Sequence, residues 1–268
     1  MELVRAENGV KYLRSPLLRV PHGFSTRVGG VSVLPHTASL NLAFGHGDDD
    51  AVVKKNLSLF AAAIGARAED FVSVPQIHSA IVRTVGAAER GMGYFRAADF
   101  SCDGYVTTEQ GVCAAVKTAD CVPVLLCAED ACGKPFAVCA VHAGWRGTSA
   151  RIVTEAVRKL TELGAEPARI FAAVGPSISP CCYEVGQDFF DAFDPELREK
   201  FVLPDPDRAG KYRADLKGAN AFLLRAAGIP AENVDVCDLC TSCGEELFYS
   251  HRRQHGVRGS MLSAITLG

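Results

Sequence analysis

The chain has 268 residues, enough for one large domain or two small ones. Apolar residues make up 48% and charged residues 22%, the balance of a globular protein with a substantial core. A formal charge of −3, with no basic block interleaved with aromatics, argues against nucleic acid or a membrane surface as partner. The start, Met1 to Glu7, lacks the basic and apolar segments of an export signal, and no apolar run approaches the ~18 residues of a membrane span, so a cytoplasmic location is expected.

Residues 48–64 predict a helix, with Asp48 to Asp50 as caps and Val53, Leu57, Phe60, Ala61 and Ile64 on one apolar face. Strands are expected at 71–74, 81–86, 104–108, 112–118, 122–127 and 136–141. A helix capped by Thr148 or Ser149 should follow, with Ile152, Val153, Ala156, Val157, Leu160 and Leu163 as its stripe and Gly164 as its stop. The strand Arg169 to Val174 closes a strand–helix–strand unit that implies a parallel crossover. A second unit runs through a helix near 215–227 to a strand at 233–237. Because the early strands have no helices between them, the expected class is α/β with a mixed sheet carrying helices on its faces, in a single domain over 1–268.

Three strings concentrate the chemistry. His78, Cys121 and His142 each stand at or beside the end of an apolar run, 43 and 21 residues apart. If folding gathers them, they form a metal site with two imidazoles, one thiolate and room for a fourth ligand, the usual pattern of catalytic zinc. Copper binds similar donors; zinc is the expected ion in the cell. Gly144 and Gly147 beside His142 would let backbone approach a ligand. Each residue has an ordinary alternative: a satisfied structural histidine, or a cysteine buried as a small hydrophobe. The eleven cysteines are odd in number, and Cys113, Cys127 and Cys139 read as buried reduced thiols. Cys237-x-x-Cys240-x-x-Cys243 hints at a redox pair or a cluster, but no fourth cysteine follows at ferredoxin spacing. Cys237 and Cys243, like Cys181-Cys182, are expected to be incidental.

Taken in order, His22 to Gly30, Ser39-Leu40-Asn41-Leu42, Gln76-Ile77-His78, Thr118 to Leu125, Ala140 to Gly147, Gly175 to Pro180, Cys182 to Gly186 and Ser250 to Arg253 resemble the YfiH/YlmD family. That family was once labelled multicopper polyphenol oxidase and is now associated with purine nucleoside phosphorylase and adenosine deaminase activity. The resemblance implies a zinc-binding fold similar to the deamidase domain of cytotoxic necrotising factor. It also implies His78, Cys121 and His142 as metal ligands, Arg27 and Asn41 as pocket residues, and a small nucleoside and phosphate as partners. Arg27 is the leading phosphate binder and Arg146 the next, because a guanidinium fork matches phosphate oxygens. Arg27, Cys121 and His142 are the expected catalytic residues, with Cys121 as ligand preferred over Cys121 as nucleophile paired with His142. Asp120 is equally readable as the carboxylate of a zinc deaminase or as a turn residue. The alternatives are copper-dependent phenol oxidation, and a hydrolase or binding factor in peptidoglycan precursor editing. Oligomeric state is open.

Overall fold

A computed structural model describes all residues, 1–268. Strands dominate, and they form two six-stranded sheets and one small three-stranded sheet. The first large sheet runs Glu2–Arg5, Lys11–Arg14, His22–Ser25, Met261–Thr266, Cys113–Thr118, Phe71–Val72 in spatial order. The second runs Val234–Val236, Ile170–Val174, Val122–Glu129, Pro135–Ala143, Gly104–Thr107, Val82–Thr84.

The period-two alternation of strand side chains explains how these sheets stack. In Cys113–Thr118, Ala114 and Val116 join a core shared with the second sheet, whereas Cys113 and Ala115 join one beneath the helix Asp50–Ala63. In Val122–Glu129, Leu125 and Cys127 face the first sheet, whereas Val122, Val124, Leu126 and Ala128 face the helices Ile152–Glu162 and Leu216–Ala226. The layers are therefore helix, sheet, sheet, helices. Strands covered on both faces are the nearly continuous apolar runs seen in the sequence.

The mixed α/β class stands, but with two facing sheets rather than one. Either face of such a strand is equally apolar, so the sequence does not separate one sheet from two. The crossover through Ile152–Glu162 does join strands that run the same way. They are not neighbours, however: Val122–Glu129 lies between them, antiparallel to both. The second crossover delivers Val234–Val236 parallel to Ile170–Val174.

Helix starts differ from expectation. Thr148 and Ser149 belong to a short helix, Trp145–Ser149, and the longer helix begins after Arg151, whose φ of 60° breaks the path. Arg151 is held there by Asp194 and Glu196. Leu163 lies outside the stripe and is 37% exposed. Asp49 caps Asp50–Ala63 without a side-chain bond, while Asp48 accepts from Ser32, Thr37 and Asn41 instead. That missing cap is worth about 1 kcal/mol. Fully buried Leu57 and Phe60 contribute about 1.5–3 kcal/mol each, so packing places this helix. No helix is long and apolar enough to cross a membrane.

The two sheets meet tightly at Gly175. A Cβ there would collide with the buried Phe24 ring and lie 2.8 Å from Pro123. Gly175→Ala should cost about 1–3 kcal/mol as an overpacked contact, read from urea unfolding. An unchanged midpoint would show that this contact relaxes freely.

Candidate metal centre

Strand register assembles half of the site. Val122 pairs with Ala143 and Pro123 with His142, so Cys121, at the start of one strand, lies beside His142, near the end of its antiparallel neighbour. His78 comes from the irregular segment before Val82–Thr84, at a φ of 58°. This left-handed conformation is uncommon for a residue with a side chain, and it turns the imidazole toward the other two. The His78 and His142 rings stand edge to face, 4.8 Å between centroids, and His78 Nε2 is 3.9 Å from Cys121 Sγ. The donor atoms of His78, Cys121 and His142 all lie within 4.8 Å of one another.

Asp103 organises this set, and it was not singled out in the sequence. Its carboxylate, fully buried, accepts from the N–H groups of Ile77 (3.2 Å), His78 (3.0 Å) and Ser79 (2.7 Å) and from the Ser79 hydroxyl (2.8 Å). It also accepts from His142 Nδ1 at 2.8 Å. Burial alone would raise this carboxyl, but the bonds from His142 and Ser79 bring it down to about 2. An ionised Asp103 fixes the proton of His142 on Nδ1 and leaves Nε2 to act as a donor atom. The same carboxylate thus sets the loop of one histidine and the ring of the other. A short acidic residue just before the strand Gly104–Thr107 was its only sequence signal.

Burial would raise the Cys121 thiol, yet the charge and hydrogen bond of His142, with those of His78, bring it down to about 6. The converse holds for His142: burial would lower it, and Cys121 and Asp103 lift it to about 9. Each of the two charges thus favours the other, a thiolate on Cys121 and a proton on His142. The thiolate is the form a metal takes, and metal binding would release the imidazolium proton. Two imidazoles and a thiolate converging at this spacing suit one zinc or copper ion with a position left open. Gly144 makes the cradle possible: a Cβ there would lie 2.7 Å from the His78 ring and 3.2 Å from Cys121 Sγ.

A cavity of about 320 Å³ opens on the donors. Phe44 and Tyr94 supply aromatic walls, 5.6 Å apart and tilted. Lys117, Arg258 and His46 supply nitrogen donors, and no carboxylate lines the space. Neither Lys117 nor Arg258 pairs with an acidic side chain. Lys117 donates to the Ser73 carbonyl at 3.0 Å, and burial lowers its ammonium to about 8. Arg258 reaches Ser260 and His46, while its buried Nε has no partner. Lys117, Arg258 and His46 sit in three unrelated segments, and nothing in the sequence marks them as neighbours.

The structure does not bring Arg27 to this cavity. Its guanidinium donates to the carbonyls of Ala38 (2.9 Å) and Glu245 (3.2 Å), lies over the Tyr249 ring, and lines a separate depression with Glu245, Glu246 and Arg253. Asn41 is fully buried; its amide holds Ala43, Asp48 and the N–H of Ser260, so it positions the cavity wall without lining it. Arg146 stacks over Trp145 at 4.3 Å, beside a smaller space of about 110 Å³ that reaches His78 and Cys121 from the other side. Asp120, at a φ of 93°, has its carboxylate taken by the Thr241 and Ser250 hydroxyls and the Arg252 N–H. These bonds fit its reading as a turn residue, and it also lines the smaller space with His78 and Cys121. Cys113, Cys127 and Cys139 are buried free thiols, as expected.

Asp103→Asn should lower metal affinity about 10–100-fold while the fold persists, because the His142 ring loses the charge that orients it. Competition against a chromophoric chelator measures this. Equal affinities for the variant and the parent would remove Asp103 from the account.

The family described as multi-copper polyphenol oxidoreductase laccase matches residues 21–268. A protein named purine nucleoside phosphorylase from Deinococcus radiodurans is 40% identical over 259 residues, covering 97% of this chain and 94% of its own. A protein named adenosine deaminase RL5, from an unknown prokaryotic organism, is 36% identical over 236 residues, covering 86% of this chain and 87% of its own. The crystal structure of YlmD from Geobacillus stearothermophilus superposes with a TM-score of 0.88 at 36% identity, covering 99% of this chain and 98% of that one. Sequence motifs, sheet architecture and these matches together make the chain a member of the YfiH/YlmD family, the multi-copper polyphenol oxidoreductase laccase group.

Proposed function

We propose that the protein is a zinc-dependent purine nucleoside enzyme whose main reaction is phosphorolysis. The observation that carries this reading is the pairing of a three-donor metal set with two cations, Lys117 and Arg258, that face the same cavity without acidic partners. Unpaired buried cations are costly unless an anion completes them, and a phosphate would. Relatives named as purine nucleoside phosphorylase and adenosine deaminase support an enzyme acting on nucleosides.

In phosphorolysis a phosphate oxygen bonds to C1′ of the ribose as the glycosidic bond breaks, and the base leaves with the electron pair. Lys117 and Arg258 would hold the phosphate and spread its charge. Phe44 and Tyr94 would flank the purine, their faces tolerant of adenine, hypoxanthine or guanine. His46, which burial and Arg258 keep below its ordinary pKa, would stand beside Arg258 on the same wall. Arg146 remains a candidate for the substrate's other side through the smaller space. A bound metal would supply Lewis acidity and a water acidified toward neutrality. His78, Cys121 and His142 would hold it.

Adenosine deamination by the same site is the second reading. Water would add at C6 and ammonia would leave, and known zinc deaminases use a carboxylate for the proton transfers. No carboxylate lines this cavity, and Asp120, which lines the smaller space, is engaged by Thr241, Ser250 and Arg252, so deamination is expected to be the slower activity. Copper-dependent phenol oxidation fits less well. It needs several copper sites, whereas the seven histidines contribute only His78 and His142 to any donor cluster.

The test is a product assay with adenosine, inosine or guanosine with and without phosphate. Ribose 1-phosphate and free base are expected, and both should disappear with His142→Ala. Lys117→Met should raise the phosphate KM about tenfold or more, the worth of a hydrogen bond between charged groups, with a smaller change for nucleoside. Turnover that is indifferent to phosphate, or a KM unmoved by Lys117→Met, would overturn phosphorolysis at this cavity.

A further inference from the structure

Four cysteines converge away from the centre just described. Cys181 and Cys182 lie on the segment that follows the strand Ile170–Val174. Cys240 and Cys243 lie on the segment that follows Val234–Val236. These strands are parallel neighbours, Val174 beside Val236, so both segments leave the sheet at the same end. A bridge between Ser177 and Cys240, with the Thr241 N–H donating to the Ser177 carbonyl at 3.1 Å, keeps them together. The local Cys-x-x-Cys pattern therefore contributes two of its three cysteines, and two more are supplied from some sixty residues away. Cys237 takes no part; it is buried, with its N–H on the Val174 carbonyl.

We propose that Cys181, Cys182, Cys240 and Cys243 form a tetrathiolate site for one zinc ion, which staples these two segments together. The Sγ separations are 3.8 Å for Cys181–Cys182, 3.6 Å for Cys181–Cys243 and 3.4 Å for Cys182–Cys243, and all four sulfurs lie within 4.8 Å of one another. Zinc–thiolate bonds of about 2.3 Å in a tetrahedron put sulfurs about 3.8 Å apart. A multi-iron cluster would need room for several metal atoms between the sulfurs, and these spacings leave room for one. Four protein thiolates leave no open position, which marks a structural site rather than a second catalytic one.

The surroundings suit the negative charge of such a site. The Ser179 N–H points at Cys240 Sγ, 3.3 Å away. Arg213 donates to the Cys181 carbonyl, and Arg253 to the carbonyls of Thr241 and Ser242, so a cation braces each stapled segment.

Both segments also end on Asp120, next to Cys121. The Ile178 N–H donates to the Asp120 carbonyl, and Thr241 and Ser250 donate to its carboxylate. The staple thus braces one wall of the catalytic centre without touching it.

Zinc content of the reduced protein, refolded or purified with zinc, tests the proposal independently of the other site. Two ions per chain are expected in the parent. Cys243→Ser, at an exposed position, and His142→Ala should each leave one, and the double variant none. Cobalt loaded into His142→Ala should give the intense thiolate-to-metal absorption of a tetrahedral four-sulfur site, lost on adding Cys243→Ser. A zinc content that Cys243→Ser does not change, or cobalt bound to His142→Ala without thiolate absorption, would overturn the staple. So would a peptide map of the protein isolated without reductant that shows a disulfide among these four cysteines.

Discussion

The buried carboxylate of Asp103 is the point on which the cluster of His78, Cys121 and His142 turns. A charge taken wholly out of water is tolerated only when its lone pairs are filled, and five donors fill them here. Three of those donors are consecutive backbone N–H groups of residues 77 to 79, so satisfying the charge bends the chain and presents His78. The fifth is the His142 ring, so the same charge selects its tautomer. Coulomb attraction in a poorly screened interior then couples Asp103, His142 and Cys121 into one alternating array of charge. The thiolate that a metal requires is a consequence of that array rather than a property of Cys121.

Sheet pairing supplies the rest of the precision. Cys121 and His142 are juxtaposed by the antiparallel ladder between Val122–Glu129 and Pro135–Ala143, in which a slip of one residue would reverse every side chain. That register is pinned because both faces of these strands are buried, one against the opposing sheet and one against helices. The cavity arises where the ends of the two sheets meet. Lys117 comes from the first sheet, the metal donors from the second, and Arg258 and His46 from connections outside both. Gln76 ties the parts together by exchanging two hydrogen bonds with the Lys117 backbone, 2.8 and 2.7 Å. The two proposed cation positions and the three metal-donor residues thereby face one space although they come from different parts of the fold.

The division of labour among the polar residues follows from burial. Asn41 and Asp120 look like site residues in sequence, since both are polar and stand in distinctive strings. In the fold each spends its hydrogen-bonding capacity inward, on the wall and the turn respectively. Arg27 is likewise consumed by two carbonyls and an aromatic ring. Arg258 and Lys117 are the reverse: plain in sequence, yet left by the fold with donors and charge facing a cavity and no ion pair to an acidic side chain.

Local patterning determined a good deal by itself. Apolar runs marked the central strands, the stripe Ile152, Val153, Ala156, Val157 and Leu160 marked its helix, and ligand chemistry marked His78, Cys121 and His142. These signals are legible because each depends on neighbours in the chain. What depends on contacts between remote segments was decided only in three dimensions. The split into two facing sheets, the part played by Asp103, the removal of Arg27 from the cavity and the meeting of Cys181 and Cys182 with Cys240 and Cys243 are all of this kind. A strand buried on both faces carries no mark of which sheet it joins, and a carboxylate or thiol carries no mark of its partner until register and packing bring the partner within bonding distance.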